Sequence, residues 1–143
     1  MTVARILEKK GYRVFTVGEA APVKDIVKQL AQHRIGVLVV TDAAGQATGI
    51  VSERDIIAEL AHGDGSTKTA AELMTRNVIK CSPDDSEIDL MERMGKARIR
   101  HLPVQHGSRL VGVISARDIL NLRIEKMSEL MNEIMAEVTL KSG

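Results

Sequence analysis

Aromatic residues and cysteine are almost absent from this chain of 143 residues. It has no tryptophan, one tyrosine (Tyr12) and one phenylalanine (Phe15), which argues against proteins that read single-stranded nucleic acid by stacking bases on aromatic side chains. The single cysteine, Cys81, excludes an intrachain disulfide and fits a reducing compartment. Because Cys81 lies in an apolar segment, we interpret it as a packing residue rather than a nucleophile.

The sequence also lacks an excess of charge of either sign and a long apolar run. Its formal net charge of +1 gives no general attraction to nucleic acid or to acidic membranes. No apolar run approaches the roughly 20 residues that a helix needs to cross a bilayer, and no signal peptide is evident. With 44% apolar and 27% charged residues, the composition predicts a globular, cytoplasmic protein with neither a nucleic-acid nor a membrane partner.

A phrase of eight residues occurs twice in the chain. Gly49–Ile56 reads Gly-Ile-Val-Ser-Glu-Arg-Asp-Ile, and Gly112–Ile119 reads Gly-Val-Ile-Ser-Ala-Arg-Asp-Ile. Ile35–Val40 aligns in the same way with Ile99–Val104, and the small changes of offset fall in turn-like segments. Near the N-terminus, Lys9–Gly11 are extra in the first copy. The chain is therefore two copies of one unit, and it is expected to bind ligand in two related places.

Each copy has the pattern of a short strand, a helix, two strands and a second helix. In the first copy, Val14–Val17 and Val37–Val40 are predicted strands, and the continuous apolar run of the second indicates burial on both faces. Pro22 suits the start of the helix between them. We therefore predict the α/β fold class with two pseudo-symmetric repeats and a long C-terminal helix. The predicted boundaries are 1–63 and 64–121 for the repeats, and 122–143 for the helical extension.

The last helix is predicted to continue far beyond the second copy, because no proline or glycine interrupts residues 118–138. One face of it carries apolar side chains at three- and four-residue steps, namely Ile124, Met127, Met131, Ile134, Met135 and Val138. Such a stripe either folds back on the protein's own core or packs against a second subunit. We favour the second alternative, a homodimer.

The repeated phrase places Ser-x-x-Asp at the start of a helix in each copy. On its own, this pattern predicts a capping box, in which serine and the acid satisfy backbone N–H groups of the first turn. Arg54 and Arg117 add a cation beside N–H groups that already attract anions, which favours phosphate. Asp55 and Asp118 are acceptor-only groups suited to holding both hydroxyls of a ribose. The motif thus predicts a structural cap or a nucleotide site.

The two copies resemble a tandem pair of CBS (cystathionine-β-synthase) domains, the Bateman module, of the stand-alone bacterial type. The resemblance covers essentially residues 1–120 and rests on Ser-x-x-Asp after Gly-apolar-apolar, on the strand Leu102–Val104 and on the turn Ser82–Asp84. It implies a non-catalytic regulatory or sensor module, usually dimeric, that binds an adenine nucleotide between the repeats. AMP is the expected ligand, and ATP, ADP, NAD and S-adenosylmethionine are the alternatives.

The resemblance also implies two unequal clefts, each combining the Asp motif of one repeat with the start of the central strand of the other. We expect the first cleft to contain Thr16, Val17, Ser52, Arg54, Asp55, Arg100 and His101. We expect the second to contain Gly36, Val37, Lys80, Cys81, Ser115, Arg117 and Asp118. Phosphate is expected to prefer the first cleft, since Arg100 and a protonated His101 carry charge where the second has Gly36 and Val37. Alternatively, His101 is a half-buried strand residue whose polar atoms the backbone satisfies.

The chain could be a nucleotide sensor, an enzyme or a scaffold. The two repeats and the helical extension leave no room for a catalytic barrel in 143 residues, and no Ser/His/Asp or Cys/His arrangement indicates an enzyme. The remaining histidines, His33, His62 and His106, have no ligand-like spacing, so no metal site is predicted. A nucleotide sensor is favoured over an enzyme, and the alternative is a dimerisation scaffold in which Ser-x-x-Asp only caps helices.

Overall fold

A computed structural model of the chain describes residues 1–63, 67–76 and 78–142. Residues 64–66, at the start of the predicted second repeat, and residue 143, at the end of the predicted extension, lie outside these ranges. The elements, in order, are α1 (Val3–Lys10), β1 (Thr16–Gly18), α2 (Val23–His33), β2 (Val37–Thr41), β3 (Ala47–Ser52), α3 (Glu53–His62), α4 (Ala70–Leu73), α5 (Glu87–Ala97), β4 (His101–His106), β5 (Arg109–Ser115) and α6 (Ala116–Ser142). The predicted α/β fold with two repeats and a long C-terminal helix is confirmed.

The two repeats differ in their first strand. In the first repeat, β1 runs parallel to β2, which pairs antiparallel with β3. In the second repeat, the equivalent of β1 is a single bridge between Cys81 and Val104, beside the antiparallel pair β4–β5. Pro103 explains the difference, because its counterpart Val39 donates its N–H to the Phe15 carbonyl at 3.2 Å and proline has no N–H to donate. Lys80, the counterpart of Thr16, consequently does not pair with β4 as a strand residue, and residues 78 and 79 precede this position as Val14 and Phe15 precede β1.

Each repeat completes the hydrophobic core of the other. Helix α1, from the first repeat, packs Val3, Ile6 and Leu7 into the core that contains Leu90, Leu102 and Ile114 of the second. The segment around α4, from the second repeat, packs Ala70 and Met74 into the core of the first, which contains Ile26, Leu38 and Val51. Because packing crosses the boundary that the sequence repeat defines, the two repeats form one folded unit.

Helices α1 and α4 are exchanged helices, because each packs in the core of the opposite repeat. The glycines of the repeated phrase lie where these exchanged helices contact the sheets. A Cβ atom on Gly49 would lie 2.7 Å from Met74 Cγ and 2.9 Å from the Thr75 carbonyl oxygen. A Cβ atom on Gly112 would lie 2.7 Å from Leu7 Cδ2. These distances are shorter than van der Waals contact, so the close approach of the exchanged helix explains why glycine precedes the motif in both repeats.

Helix α6 leaves the body of the protein after two turns. Ile119 and Leu122 are buried in the core of the second repeat, whereas all residues from Arg123 to Ser142 are exposed. The predicted apolar stripe therefore does not fold back on the protein's own core. No helix among the described residues is long and apolar enough to cross a membrane.

Candidate functional site

Both Ser-x-x-Asp motifs form the predicted helix caps, and the geometry is nearly the same in the two repeats. Ser52 Oγ accepts a hydrogen bond from the Asp55 N–H at 3.3 Å, and Asp55 Oδ2 accepts one from the Ser52 N–H at 2.7 Å. The corresponding distances for Ser115 and Asp118 are 3.1 and 2.8 Å. The caps pin each carboxylate at the end of a strand, at the interface between the repeats.

Cleft one is a cavity of about 280 Å³ at the N-terminus of α3. Four polar residues, Ser52, Asp55, Thr75 and His101, share its lining with an apolar wall made of Val37, Ile50, Val78, Ile79, Ala97 and Ile99. The wall comes from both repeats, and residues 78 and 79 belong to the segment that precedes the bridge between Cys81 and Val104. A flat apolar ring against this wall would have the Asp55 carboxylate beside it as a hydrogen-bond acceptor.

A second cavity of about 290 Å³, which we name the arginine groove, adjoins cleft one at Val37, Ser52 and His101. Arg54, Arg98 and Arg100 line it, together with Glu53. Arg98 takes the left-handed conformation at the C-terminal cap of α5, with φ of 55°. Three guanidinium groups against one carboxylate make this groove suited to anionic oxygens, especially those of phosphate.

Cleft two is the pseudo-symmetric partner of cleft one, also of about 280 Å³. Its lining contains Gly36, Val37 and Ser115, as predicted for this side of the interface, together with Lys10, Arg13, Val14, Phe15, Ile35, Val39, His101 and Val113. The Phe15 ring is held between the His33 ring, 3.9 Å away between centroids, and the Arg13 guanidinium, 5.7 Å away. Cleft two therefore has cations of its own, from residues outside the aligned central strand.

Asp118, the expected ribose acceptor of cleft two, does not line that cavity and is paired with a lysine of its own chain. Lys10 Nζ lies 2.6 Å from Asp118 Oδ2 and 2.5 Å from the Val113 carbonyl oxygen. Within the described residues, Asp55 has no lysine, arginine or histidine at salt-bridge distance. The two Asp motifs thus share one cap geometry and differ in their electrostatic partner.

Several predicted site residues lie away from the clefts to which the sequence assigned them. Thr16 and Val17 do not line cleft one, since Thr16 is exposed and Val17 is buried in the core of the first repeat. Lys80 and Cys81 do not line cleft two, and Cys81 is buried in the core of the second repeat. Arg117 is exposed at the start of α6 and lines none of the three cavities.

Each cleft is lined by a segment from the repeat that does not supply its Ser-x-x-Asp motif. This segment lies two residues before the pair of first-strand residues that the sequence predicted for a cleft. Val78 and Ile79 line the cleft of Asp55, and Val14 and Phe15 line the cleft of Ser115. These two pairs align at the same offset of 64 as the central strands, and that alignment is the signal that could have identified them. The repeat gives no such signal for Lys10, which lies in the extra segment of the first repeat.

His101 lies at the junction of the three cavities and is half-buried. Burial lowers its pKa below the ordinary value of about 6.5, and the positive charges of Lys10 and Arg100 lower it further against the opposing effect of Asp118. The imidazole is therefore neutral at pH 7 in the ligand-free protein, rather than the protonated group that the sequence led us to expect. Burial also raises the pKa of Cys81 to about 12, with Asp85 contributing in the same direction.

No group of three or more His, Cys, Asp or Glu side chains is arranged to hold a metal ion within residues 1–63, 67–76 and 78–142.

Comparison with known protein families and sequences gives matches over both repeats. The family model of the CBS domain matches residues 3–62 and 70–125. An uncharacterized 33.4 kDa protein of Thermofilum pendens is 36% identical over 98 residues, which cover 68% of this chain and 32% of that protein. The inosine-5'-monophosphate dehydrogenase of Methanocaldococcus jannaschii is 32% identical over 111 residues, 77% of this chain and 22% of that enzyme. The chain thus spans about a third or less of the length of these two relatives.

Solved structures of similar proteins cover most of the chain. The CBS-domain containing protein ATU1752 from Agrobacterium tumefaciens is 38% identical with a TM-score of 0.79, over 85% of this chain and 92% of that one. The CBS domain pair of protein MJ0100, solved in complex with 5'-methylthioadenosine and S-adenosyl-L-methionine, is 30% identical with a TM-score of 0.78, over 88% and 98% of the two chains. With both of its repeats matched, the chain belongs to the CBS domain family, as a tandem pair of CBS domains.

Proposed function

We propose that the protein is a non-catalytic sensor module that binds an adenine nucleotide in cleft one. The observation that carries this proposal is the junction of an apolar cavity, a capped Asp55 carboxylate and the arginine groove. Adenine would pack against Ile50, Ile79 and their neighbours, and the ribose hydroxyls would donate to Asp55. The binding of two adenosine compounds by the CBS pair of MJ0100 supports this ligand class.

AMP is the ligand we propose first, ahead of ATP, ADP, NAD and S-adenosylmethionine. The arginine groove adjoins the serine end of cleft one, so a 5'-phosphate on a ribose held by Asp55 would extend toward Arg54 and Arg100. A phosphate there gains charge-assisted hydrogen bonds that an uncharged nucleoside or a sulfonium ligand does not gain. The expected order of affinity is therefore AMP above adenosine, and the difference should become smaller at high salt.

Asp55→Asn and Asp118→Asn form a matched pair that tests the site. Each substitution removes one carboxylate charge, and the amide oxygen can still accept the cap hydrogen bond, so the fold is retained. Asp55→Asn is expected to weaken AMP binding by about 1–3 kcal/mol, which is about 5- to 150-fold, measured by isothermal titration calorimetry. Asp118→Asn should leave this affinity unchanged, and equal effects of the two variants would contradict the assignment to cleft one.

Phosphate binding should also change the protonation of His101. A phosphate in the arginine groove adds negative charge beside the neutral imidazole and raises its pKa toward the ordinary value. His101 is then expected to take up a proton when AMP binds near pH 6, against the proton that the phosphate itself releases among the arginines, whereas adenosine should change neither group. Titration in two buffers with different ionisation enthalpies measures the net proton exchange, and the difference between wild type and His101→Gln gives the contribution of His101.

The second candidate function is a scaffold, and the capping geometry of both motifs is the observation that favours it. Among the described residues, the side-chain hydrogen bonds of Ser52 and Asp55 all belong to the cap, as a purely structural motif requires. If AMP, ATP, NAD and S-adenosylmethionine all fail to bind at millimolar concentration to folded protein, the scaffold is the correct function. Product formation from a nucleotide that Asp55→Asn abolishes would instead show an enzyme.

We also propose that the protein is a homodimer joined through α6. Leu120, Ile124, Met127, Met131, Ile134 and Val138 alternate in steps of four and three, the spacing of a coiled-coil seam, and their exposed fractions range from 48 to 67%. At about 100° per residue, this seam lies on a different face from Ile119 and Leu122, which pack against the body. A second copy of α6 presents the same seam and so supplies a complementary partner.

Truncation after Lys126 tests the dimer without disturbing the fold, because it keeps the buried Leu122 and the Arg123–Glu87 ion pair. The full chain is expected to be a dimer by light scattering and the truncated chain a monomer with unchanged AMP affinity. The proposal that α6 forms the interface would be wrong if the full chain stays monomeric at about 100 μM or if the truncated chain stays dimeric.

A further inference from the structure

The contact between Lys10 and Asp118 distinguishes the two clefts in a way that the repeated motif does not. Lys10 is the last residue of α1, and its ammonium group contacts Asp118 Oδ2 at 2.6 Å and the Val113 carbonyl oxygen at 2.5 Å. Both side chains keep contact with water, with exposed fractions of 33% for Lys10 and 20% for Asp118. Lys10 lines cleft two together with Val113 and Ser115, whereas Asp118 lines a neighbouring cavity of about 200 Å³ that also contains Lys10. A ligand that enters cleft two would therefore meet Lys10.

The origin of this lysine is the length difference between the repeats. Lys9–Gly11 are extra in the first repeat, and α1 packs onto the second repeat, so the extra segment delivers its lysine to the Asp motif of the other repeat. Gly11 ends α1 with φ of 105°, a conformation that turns the chain away directly after Lys10. In the part of the chain that the structure describes, Asp55 has no equivalent cation.

We propose that Lys10 acts as an internal competitor for the ribose position of cleft two and restricts the protein to one nucleotide per chain. This inference rests on the proposed function, in which the Asp of the motif accepts the ribose hydroxyls. An ammonium at 2.6 Å from the carboxylate forms a charge-assisted hydrogen bond that two neutral hydroxyls must displace. Lys10 thereby selects against a nucleoside diol in cleft two and leaves cleft one as the regulated site.

The test counts ligands per chain in Lys10→Met, with adenosine and AMP as the probes. Methionine keeps most of the apolar stem of lysine and removes the cation. Lys9→Met is the matched control, because Lys9 is the preceding residue, loses the same charge, and pairs with Glu125 at 3.6 Å instead of with Asp118. Adenosine isolates the diol contact, since it has no phosphate that Lys10 itself could attract.

Wild type and Lys9→Met are expected to bind one adenosine per chain, and Lys10→Met two, with the second site at least tenfold tighter than any second site of wild type. Asp118→Asn added to Lys10→Met should remove that second site. In an Asp55→Asn background, Lys10→Met should restore one site per chain, and Lys9→Met should not. Lys10→Gln serves as a second variant if Lys10→Met changes the circular dichroism spectrum.

The two proposals fail in different ways. One site per chain in folded Lys10→Met, or two equal sites already in wild type, would overturn the role of Lys10 while the Asp55 site stands. Loss of wild-type binding in Asp118→Asn rather than in Asp55→Asn would overturn both. A second adenosine in Lys10→Met that Asp118→Asn does not remove would show that Lys10 only joins α1 to α6, and would also contradict the inference.

Discussion

Adding a single methyl group to each glycine of the repeated phrase tests how the exchanged helices are packed. In Gly49→Ala, the new Cβ meets Met74 Cγ at 2.7 Å and the Thr75 carbonyl oxygen at 2.9 Å. In Gly112→Ala, it meets only the side chain of Leu7, at 2.7 Å from Cδ2 and 3.2 Å from Cδ1. Both substitutions overfill a packed contact, but only the first pushes against backbone.

The loss in the free energy of unfolding depends on how easily the contacted atoms can move away from the new methyl group. Overfilling a core by a methyl group costs about 1–3 kcal/mol. The Thr75 backbone is held by two hydrogen bonds to Ile50, of 2.9 and 3.2 Å, so moving it also weakens contacts worth about 1 kcal/mol each. Alanine offsets part of this by about 0.4–1 kcal/mol through the unfolded chain. We therefore expect a loss of about 2–3 kcal/mol for Gly49→Ala and about 1–2 kcal/mol for Gly112→Ala.

Gly95→Ala is the control, because Gly95 lies in α5, is exposed, and has no atom within 4 Å of a built Cβ. It should stabilise the protein by about 0.5–1 kcal/mol, the helix preference of alanine over glycine. Urea unfolding at a fixed protein concentration measures all three as shifts of the midpoint at constant slope. If Gly49→Ala and Gly112→Ala are as stable as wild type, the exchanged helices do not approach the sheets as closely as the structure shows.

The remaining predictions concern protonation, thiol reactivity and the tail. Burial and the charge of Lys10 lower the pKa of His101, so the imidazole binds a proton more readily in the unfolded chain than in the folded one. The free energy of unfolding should therefore fall as the pH drops below about 6.5. Urea unfolding should show a smaller fall in His101→Gln. Cys81, with a pKa of about 12, should resist iodoacetamide in the native protein and react only after denaturation, so rapid native labelling would contradict its burial. Met131→Lys should dissociate the proposed dimer. The two copies of Met131, which the dimer would bury, are worth about 1.5 kcal/mol or more each, so their loss weakens association by about a hundredfold or more. Asn132→Lys, one residue along the helix and off the seam, should leave the dimer intact by light scattering.

The sequence by itself determined the features that depend on local patterns. The repeated phrase at Gly49 and Gly112 established two copies, the apolar run Val37–Val40 a buried strand, and Ser52 and Ser115 the first turns of two helices, because caps and periodicity act within a few residues. An uninterrupted segment without proline or glycine likewise predicted α6. The alignment of the repeats also placed His101 and Asp55 at one interface, and both line cleft one.

Only the tertiary structure decided which segments meet across that interface. Thr16 was expected in cleft one, but Val78 and Ile79 line it, because α1 and α4 exchange between the repeats and each cleft takes the segment before the first-strand position from the opposite repeat. The Lys10–Asp118 contact joins residues 108 positions apart. No periodicity or cap records such a pairing, because its cause is the packing of one whole helix against the core of the other repeat.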